Sequence, residues 1–211
     1  MSQWNEIYSN GTIHSTPSKE LTLIVETLQE KNVIHTLDAG CGTGRHAKYL
    51  AQQGFISHGI DISSTAIEEA KETAQDLNVN YKVGELIKLP YQDNSMDFII
   101  ANQSLQYASD EDVKKSITEL DRVLKPNKPV LIRVSSDKHV FNGATPNEIY
   151  GFSHIGFSIK EGLPVHFFSE SELREYFKSY NIERLEHITH TIDHDKISVP
   201  LSEWVLLADK K

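Results

Sequence analysis

Residues 37–47 read LDAGCGTGRHA, with an acid at Asp38, glycines at positions 40, 42 and 44, and then residues able to open a helix. Two chemistries compete for such a loop. The run Gly42-Thr43-Gly44-Arg45-His46-Ala47 satisfies the loose G-x-G-x-x-G/A pattern, in which bare backbone approaches a pyrophosphate. Asp38 would repel a pyrophosphate. A ligand with an ammonium group, a ribose diol and an adenine amine can use acceptors there instead. Glycine spacing alone leaves the choice open, so the flanking sequence has to make it.

Outward from the loop, residues 33–37 form a short apolar run that suits a buried strand feeding it. Helical spacing resumes at Ala47, Leu50 and Ala51 and closes at Gly54. Ahead of the strand, Thr16-Pro17 reads as a cap followed by a first-turn proline, with Leu21, Ile24, Val25 and Leu28 on one stripe, predicting a helix over 17–30. The alternation then repeats. Strands are expected over 55–60, 79–83, 97–101 and 130–134, with helices between them. One helix is expected to be capped by Thr65-x-x-Glu68 and to carry Ala66, Ala70, Ala74 and Leu77; another spans 109–124, stopped by Pro126. Strands alternating with helices imply a parallel sheet covered on both faces.

The rhythm breaks at residues 136–168, where Gly143, Pro146, Gly151, Gly156, Gly162 and Pro164 predict a long irregular excursion. Ser169-x-x-Glu172 restarts a helix, and extended segments follow near 181–192 and 200–208. The 211 residues form one expected domain, 1–211, with 1–31 as an N-terminal helix and lid and 136–168 as an insertion on the substrate side.

Composition narrows the class. No apolar run approaches the roughly 20 residues that cross a bilayer, the N-terminus shows no secretory pattern, and a single cysteine excludes an internal disulfide, so a cytoplasmic location is expected. Thirty acidic against 21 basic residues give a net charge of −9, which disfavours general affinity for nucleic acid. The pair His190-x-x-x-His194 would suit a metal only on a helix, and its surroundings read as extended, so no metal is expected.

In a parallel sheet, ligands bind at the carboxyl ends of strands, where Asp38, Asp61, Glu85 and Asn102 all fall. Asp61 stands where an acid can accept both ribose hydroxyls, which NAD sites share; Glu85 can accept from an adenine amine while the Leu86 N–H donates to the ring. On LDAGCGTG (37–44), HGIDIS (58–63), GELIKLPYQDNSMDFIIANQSLQY (84–107) and LDRVLKPNKPVLI (120–132), the sequence resembles the class I S-adenosylmethionine-dependent methyltransferases. The fold this implies is a Rossmann-like, doubly wound, mostly parallel α/β sheet of about seven strands, with an antiparallel C-terminal edge hairpin. The implied cofactor is S-adenosyl-L-methionine. Asp38 and the loop of Gly40, Cys41, Gly42 and Gly44 would hold its methionine end, Asp61 with Ile62 its ribose, and Glu85 with Leu86 its adenine, with Asn102 near the amino-acid group. Two departures stand out: Glu85 replaces the commoner Asp, and Asn127-Lys128 replaces a Gly-Gly turn.

The resemblance implies methyl transfer, with a small-molecule acceptor as the first expectation. The rivals are a protein or tRNA methyltransferase, a catalytically silent cofactor-binding module and, third, a dinucleotide oxidoreductase. Methyl transfer from a sulfonium needs positioning and dryness more than a loud catalytic motif. Trp4 and Tyr8 share one helical face, as a lid with Tyr8 on the cofactor or as a staple to the core. His166, in an HFF segment similar to one in small bacterial members, is the catalytic candidate, as a neutral base or a polar wall. Arg133 is expected in a salt bridge to a loop, and KEGLPVHFFSESELREYF carries a weaker similarity to the tellurite-resistance group of methyltransferases.

Overall fold

Alternate residues of β4 (Phe98–Asn102) point to opposite faces, and both faces are apolar. Phe98 and Ile100 join Leu21, Ile24, Val25 and Leu28 of α2 (Lys19–Glu30). Ile99 and Ala101 join Val113, Ile117 and Leu120 of α5 (Asp110–Val123). A strand buried on both sides has to lie inside a sheet sandwiched by helices. In the computed structural model, which describes residues 3–9, 16–138, 165–194 and 197–211, it does.

Seven strands run in the order β3-β2-β1-β4-β5-β7-β6. They are β1 (His35–Ala39), β2 (Ile56–Asp61), β3 (Val79–Val83), β4, β5 (Pro129–Ser135), β6 (Tyr180–His194) and β7 (Ile197–Lys210). All neighbours are parallel except β5 with β7 and β7 with β6. The remaining helices are α1 (Gln3–Ser9), α3 (Arg45–Gln52), α4 (Ser64–Glu72) and α6 (Glu170–Tyr176). The sheet order reverses between β1 and β4, which is where an open α/β sheet leaves its ligand crevice.

The expected strands and helices are present, with shifted ends. β1 starts at His35, two residues late, because the Asp97 carboxylate accepts the N–H groups of Ile34 and His35 and ties this edge to the start of β4. Asp38 therefore sits inside the strand. Ser18, and not Thr16, caps α2 by accepting from Leu21 N; Ser63, and not Thr65, caps α4 by accepting from Ala66 N. Ala74 and Leu77 lie beyond the end of α4 but still pack with Ile67 and Tyr81. The Ser169–Glu172 capping box is present as expected. Asn127 takes φ 59°, so it supplies the left-handed turn that Gly-Gly would otherwise provide. His190 and His194 lie on a strand, which separates them from a helical metal-ligand spacing.

Of the 136–168 excursion, the six glycines and prolines fall outside the described residues. Its two ends meet: Asp137 N donates to Phe168 O at 3.0 Å and Phe168 N to Ser135 O at 2.9 Å. The segment thus leaves and returns beside the carboxyl end of β5. Among the described residues no helix is long and apolar enough to cross a membrane.

Candidate cofactor site

The carboxyl ends of β1 to β4 open into one cavity of about 460 Å³. Its floor is the glycine loop. Gly40 N and Cys41 N both donate to Ile60 O, at 2.8 and 2.9 Å, so the chain leaving β1 is stitched to the end of β2. Asp61 completes the stitch: one carboxylate oxygen accepts from Gly42 N at 2.8 Å and the other from Ser63 N at 2.9 Å. An ionised carboxylate has about four acceptor positions, more than these loop donors fill. Burial pushes the Asp61 carboxyl up from the ordinary range, opposed by its bonds from Ser63, Gly42 and Ile62.

Beyond β3, Gly84 N donates to Asp61 O at 2.9 Å, and this places Glu85 and Leu86 on the cavity wall beside Ile62. On the other side, Asn102 ends β4 with only 8% of its surface exposed. Asn102 lines the cavity, while its Nδ2 is buried and has no hydrogen-bond partner. Across the top lies α1. Trp4 meets Tyr107 edge-on at 4.8 Å, Tyr8 lies against Gly42, and Asn5 bonds Ser63 and Ser64 at the start of α4. Trp4 and Tyr8 of α1 thus line the cavity, and Ile7 between them is buried. Burial and the nearby Asp61 push the Tyr8 hydroxyl well above its ordinary value.

Nine of the expected cofactor contacts line this cavity: Tyr8, Gly40, Cys41, Gly42, Asp61, Ile62, Glu85, Leu86 and Asn102. Gly44 does not; it sits behind the loop, under the Tyr81 hydroxyl, which donates to its carbonyl at 3.3 Å. Asp38 also stands apart from the wall. It is 1% exposed, and its carboxylate accepts from Ala47 N at 3.1 Å with His46 Nδ1 3.9 Å away. It therefore anchors the start of α3 under the loop, because β1 runs two residues further than expected.

His166, the catalytic candidate, is not among the residues that line this cavity. His166 N donates to Gln106 O at 2.7 Å, the ring packs edge-on against Phe168, and Nδ1 lies 2.7 Å from Asp110 while Nε2 lies 3.2 Å from Glu172. The ring joins the first turns of α5 and α6. Arg133 pairs with Glu203 on β7 and Glu20 on α2, two regular elements and no loop.

The wall also includes Arg45, Gln103 and Ser104, which were not named as cofactor contacts. Ser104 Oγ donates to Ala39 O at 2.6 Å, and Gln103, at φ 59°, bonds the buried Glu203. Arg45 carried a usable signal. As the first residue of a helix that follows a glycine loop, it has a side chain that leans back over that loop.

Burial pushes the Asp38 carboxyl up to about 7, against the opposing bond from Ala47. A folded pKa above the unfolded one means that stability from this group is full below about pH 4 and is lost as pH rises toward 7. Asp38→Asn keeps an acceptor for Ala47 N and cannot ionise. Its stability relative to wild type should therefore improve steadily between pH 4 and 7, measured by urea midpoints at each pH. A difference that stays flat with pH would show that Asp38 does not titrate there.

This arrangement defines an α/β protein with one cavity running from the carboxyl end of β3 to that of β4. Residues 37–132 match the family model described as a methyltransferase domain. Norajmaline N-methyltransferase of Rauvolfia serpentina is 27% identical over 137 residues, covering 59% of this chain and 46% of the relative. Ubiquinone biosynthesis O-methyltransferase of Coxiella burnetii is 30% identical over 125 residues, 58% of this chain and 52% of the relative. The chain spans about half the length of the curated relatives it matches. The solved structure of TehB from Haemophilus influenzae superposes with a TM-score of 0.70 at 20% identity, covering 99% of this chain and 66% of that one, a likeness of fold. Over residues 37–132 the chain is similar to the class I S-adenosylmethionine-dependent methyltransferases, and the cofactor this indicates is S-adenosyl-L-methionine.

The walls fit that cofactor. They carry a buried acid, Asp61, that would accept from a ribose, and a second acid, Glu85, beside Leu86, that would receive an adenine.

Proposed function

We propose that the protein transfers a methyl group to a small-molecule acceptor by in-line displacement, releasing S-adenosylhomocysteine. The observation that carries this reading is Asp61, held by the N–H groups of Gly42 and Ser63 on the wall of the cavity at the end of β2. The cofactor supplies an activated methyl group on a sulfonium. This chain's residues position and exclude water: Asp61, Glu85 and Leu86 fix the nucleoside, the loop fixes the amino-acid end, and Trp4 with Tyr8 covers the chamber.

A small acceptor is favoured by the net charge of −9, which works against polyanionic substrates, and by the N- and O-methyltransferase names of the relatives. The substrate-side role expected of 136–168 falls mostly on residues outside those described; at its ends Ser135 and Asp137 bond Phe168 beside β5. His166 is assigned to holding α5 and α6 together rather than to proton transfer.

The test has two stages. S-Adenosylhomocysteine should bind in calorimetry and raise the melting temperature, while NAD should do neither. A panel of small amines, phenols and thiols is then screened with S-adenosylmethionine for release of S-adenosylhomocysteine. Binding of NAD without either adenosyl ligand would refute the cofactor site, and cofactor binding with no product across the panel would favour a silent binding module.

A further inference from the structure

His35 and His58 stand 23 positions apart in the chain, yet their rings meet. β1 and β2 are parallel neighbours, with His35 opposite Ile56 and Leu37 opposite His58. Side chains alternate along a strand, so His35, Leu37 and His58 share one face of the sheet, and the two histidines are diagonal neighbours on it. Their ring centroids lie 5.7 Å apart, and His58 Nε2 lies 3.5 Å from His35 Nδ1. Neither residue lines the cofactor cavity, so a ligand held by this pair would be independent of methyl transfer.

The distance between the nitrogens is long for a hydrogen bond and close to that of two metal ligands. An N–H donor normally reaches its acceptor at about 2.7–3.2 Å. Imidazole nitrogens bind Zn²⁺ at about 2.0–2.1 Å, which sets two of them about 3.3–3.4 Å apart around a tetrahedral ion. Regular backbone already holds both residues near that arrangement. His35 N donates to the Asp97 carboxylate at 2.9 Å where β1 begins, and His58 lies in β2, paired on both sides by β1 and β3. Tyr91 steadies the His58 ring by meeting it edge-on at 5.6 Å. Both histidines keep intermediate exposure, which lets an ion reach them and keep water in its remaining positions.

We infer that His35 Nδ1 and His58 Nε2 form a binding site for a late divalent transition metal such as Zn²⁺ or Cu²⁺, with water completing the coordination. The pair escapes inspection of the sequence because metal-ligand spacing is local, as in His190-x-x-x-His194, whereas these rings come from adjacent strands. Among the described residues no group of three or more His, Cys, Asp or Glu side chains is placed to hold a metal ion, so the site has two protein ligands. Imidazole suits these ions, while Mg²⁺ and Ca²⁺ take oxygen. Burial, with His35 and Lys82 nearby, pushes the His58 pKa down to about 4, which agrees with a neutral ring able to ligate at pH 7. Lys82 works against the ion. It lies on β3 beside His58, with its ammonium 4.7 Å over the Tyr91 ring, and it repels a bound cation as it repels a proton on His58.

The test uses untagged protein stripped with a chelator, and it needs no methyl acceptor. Zinc chloride alone is titrated by calorimetry into wild type, His35→Gln, His58→Gln and Lys82→Met. Wild type should bind an ion that excess Mg²⁺ does not displace. Each histidine variant should lose at least about tenfold in affinity, since even residues that only support a metal ligand cost that much when removed. Lys82→Met should bind Zn²⁺ more tightly than wild type, a gain that a merely structural role for Lys82 does not produce.

Unchanged affinity in both histidine variants would identify an adventitious ion only, and a wild type that binds no Zn²⁺ would have no site; both results overturn the inference. A loss in one histidine variant with none in the other would describe a contact with a single ring, and it overturns the paired site as well. The melting temperature of each variant without metal identifies a folding defect. A second measurement on wild type stands whether or not the variants fold. Cu²⁺, added in small fractions of an equivalent, should broaden the backbone amide NMR signals around His35 and His58 before those around His46 and His190. Broadening that begins at another histidine overturns the assignment.

Discussion

Replacing Gly40 with alanine should lower S-adenosylhomocysteine affinity at least about a hundredfold and destabilise the fold by about 2–5 kcal/mol. The residue has φ 76°, and a Cβ built there would lie 2.2 Å from the Cβ of Ser104. Two costs therefore combine. A left-handed backbone costs a residue with a Cβ about 1–2 kcal/mol, and relieving the overlap costs about 1–3 kcal/mol more. Ser104 cannot simply turn aside, because the clash is with its Cβ and because its hydroxyl is bonded to Ala39 O. The displacement must pass into the backbone after β4, which carries Asn102 and Gln103 on the cavity wall. Gly54→Ala is the control. Gly54 has φ 93° with nothing within 4 Å of a built Cβ, so alanine there should cost only the backbone term and leave affinity unchanged. Urea denaturation and calorimetry on both variants decide the matter; a Gly40→Ala protein that binds like wild type would show that the loop tolerates a side chain against Ser104.

The same contact shows what a sequence can and cannot announce. Three glycines after an acid-tipped strand mark a tight loop, and strand-helix alternation with apolar runs marks a covered parallel sheet, because both are local patterns. Whether Gly40 is required for conformation or for room depends on Ser104, 64 positions away in sequence. The displaced caps have a comparable cause. Thr65-x-x-Glu68 has the right spacing, but Ser63 takes the cap because Asp61 already holds its N–H and fixes it at the helix start. Asp38 was legible as important, but its place off the cavity wall was not. Two further residues of β1 carry it behind the loop, and the pairing that sets this register comes from Asp97, far along the chain. His166 misled for another reason. Its neighbours in sequence resemble a pocket-facing segment, while its actual partners, Asp110 and Glu172, are acids at two helix starts that only the folded chain brings together.

Asp61→Ala should weaken S-adenosylhomocysteine by about 1.5–3 kcal/mol, the value of charge-assisted hydrogen bonds to a ligand. Because the carboxylate also holds Gly42 N and Ser63 N, stability should fall too, by about 1–3 kcal/mol for donors left unmade. A loss of affinity alone would then be ambiguous, since a loosened loop binds poorly whatever Asp61 touches. The ligand resolves it. If Asp61 accepts from the ribose, removing the 2′-hydroxyl from the ligand should cost wild type about tenfold in affinity, and cost Asp61→Ala little, because the partner is already gone. If Asp61 acts only through the loop, wild type and variant should lose the same factor on that deletion. Asp61→Asn refines the comparison: one oxygen still accepts, so one of the two loop bonds survives, and its stability should lie between those of wild type and alanine. The ribose assignment thus depends on a measured coupling between one side chain and one hydroxyl. Equal factors in the two proteins would leave Asp61 as a clamp between the glycine loop and the start of α4.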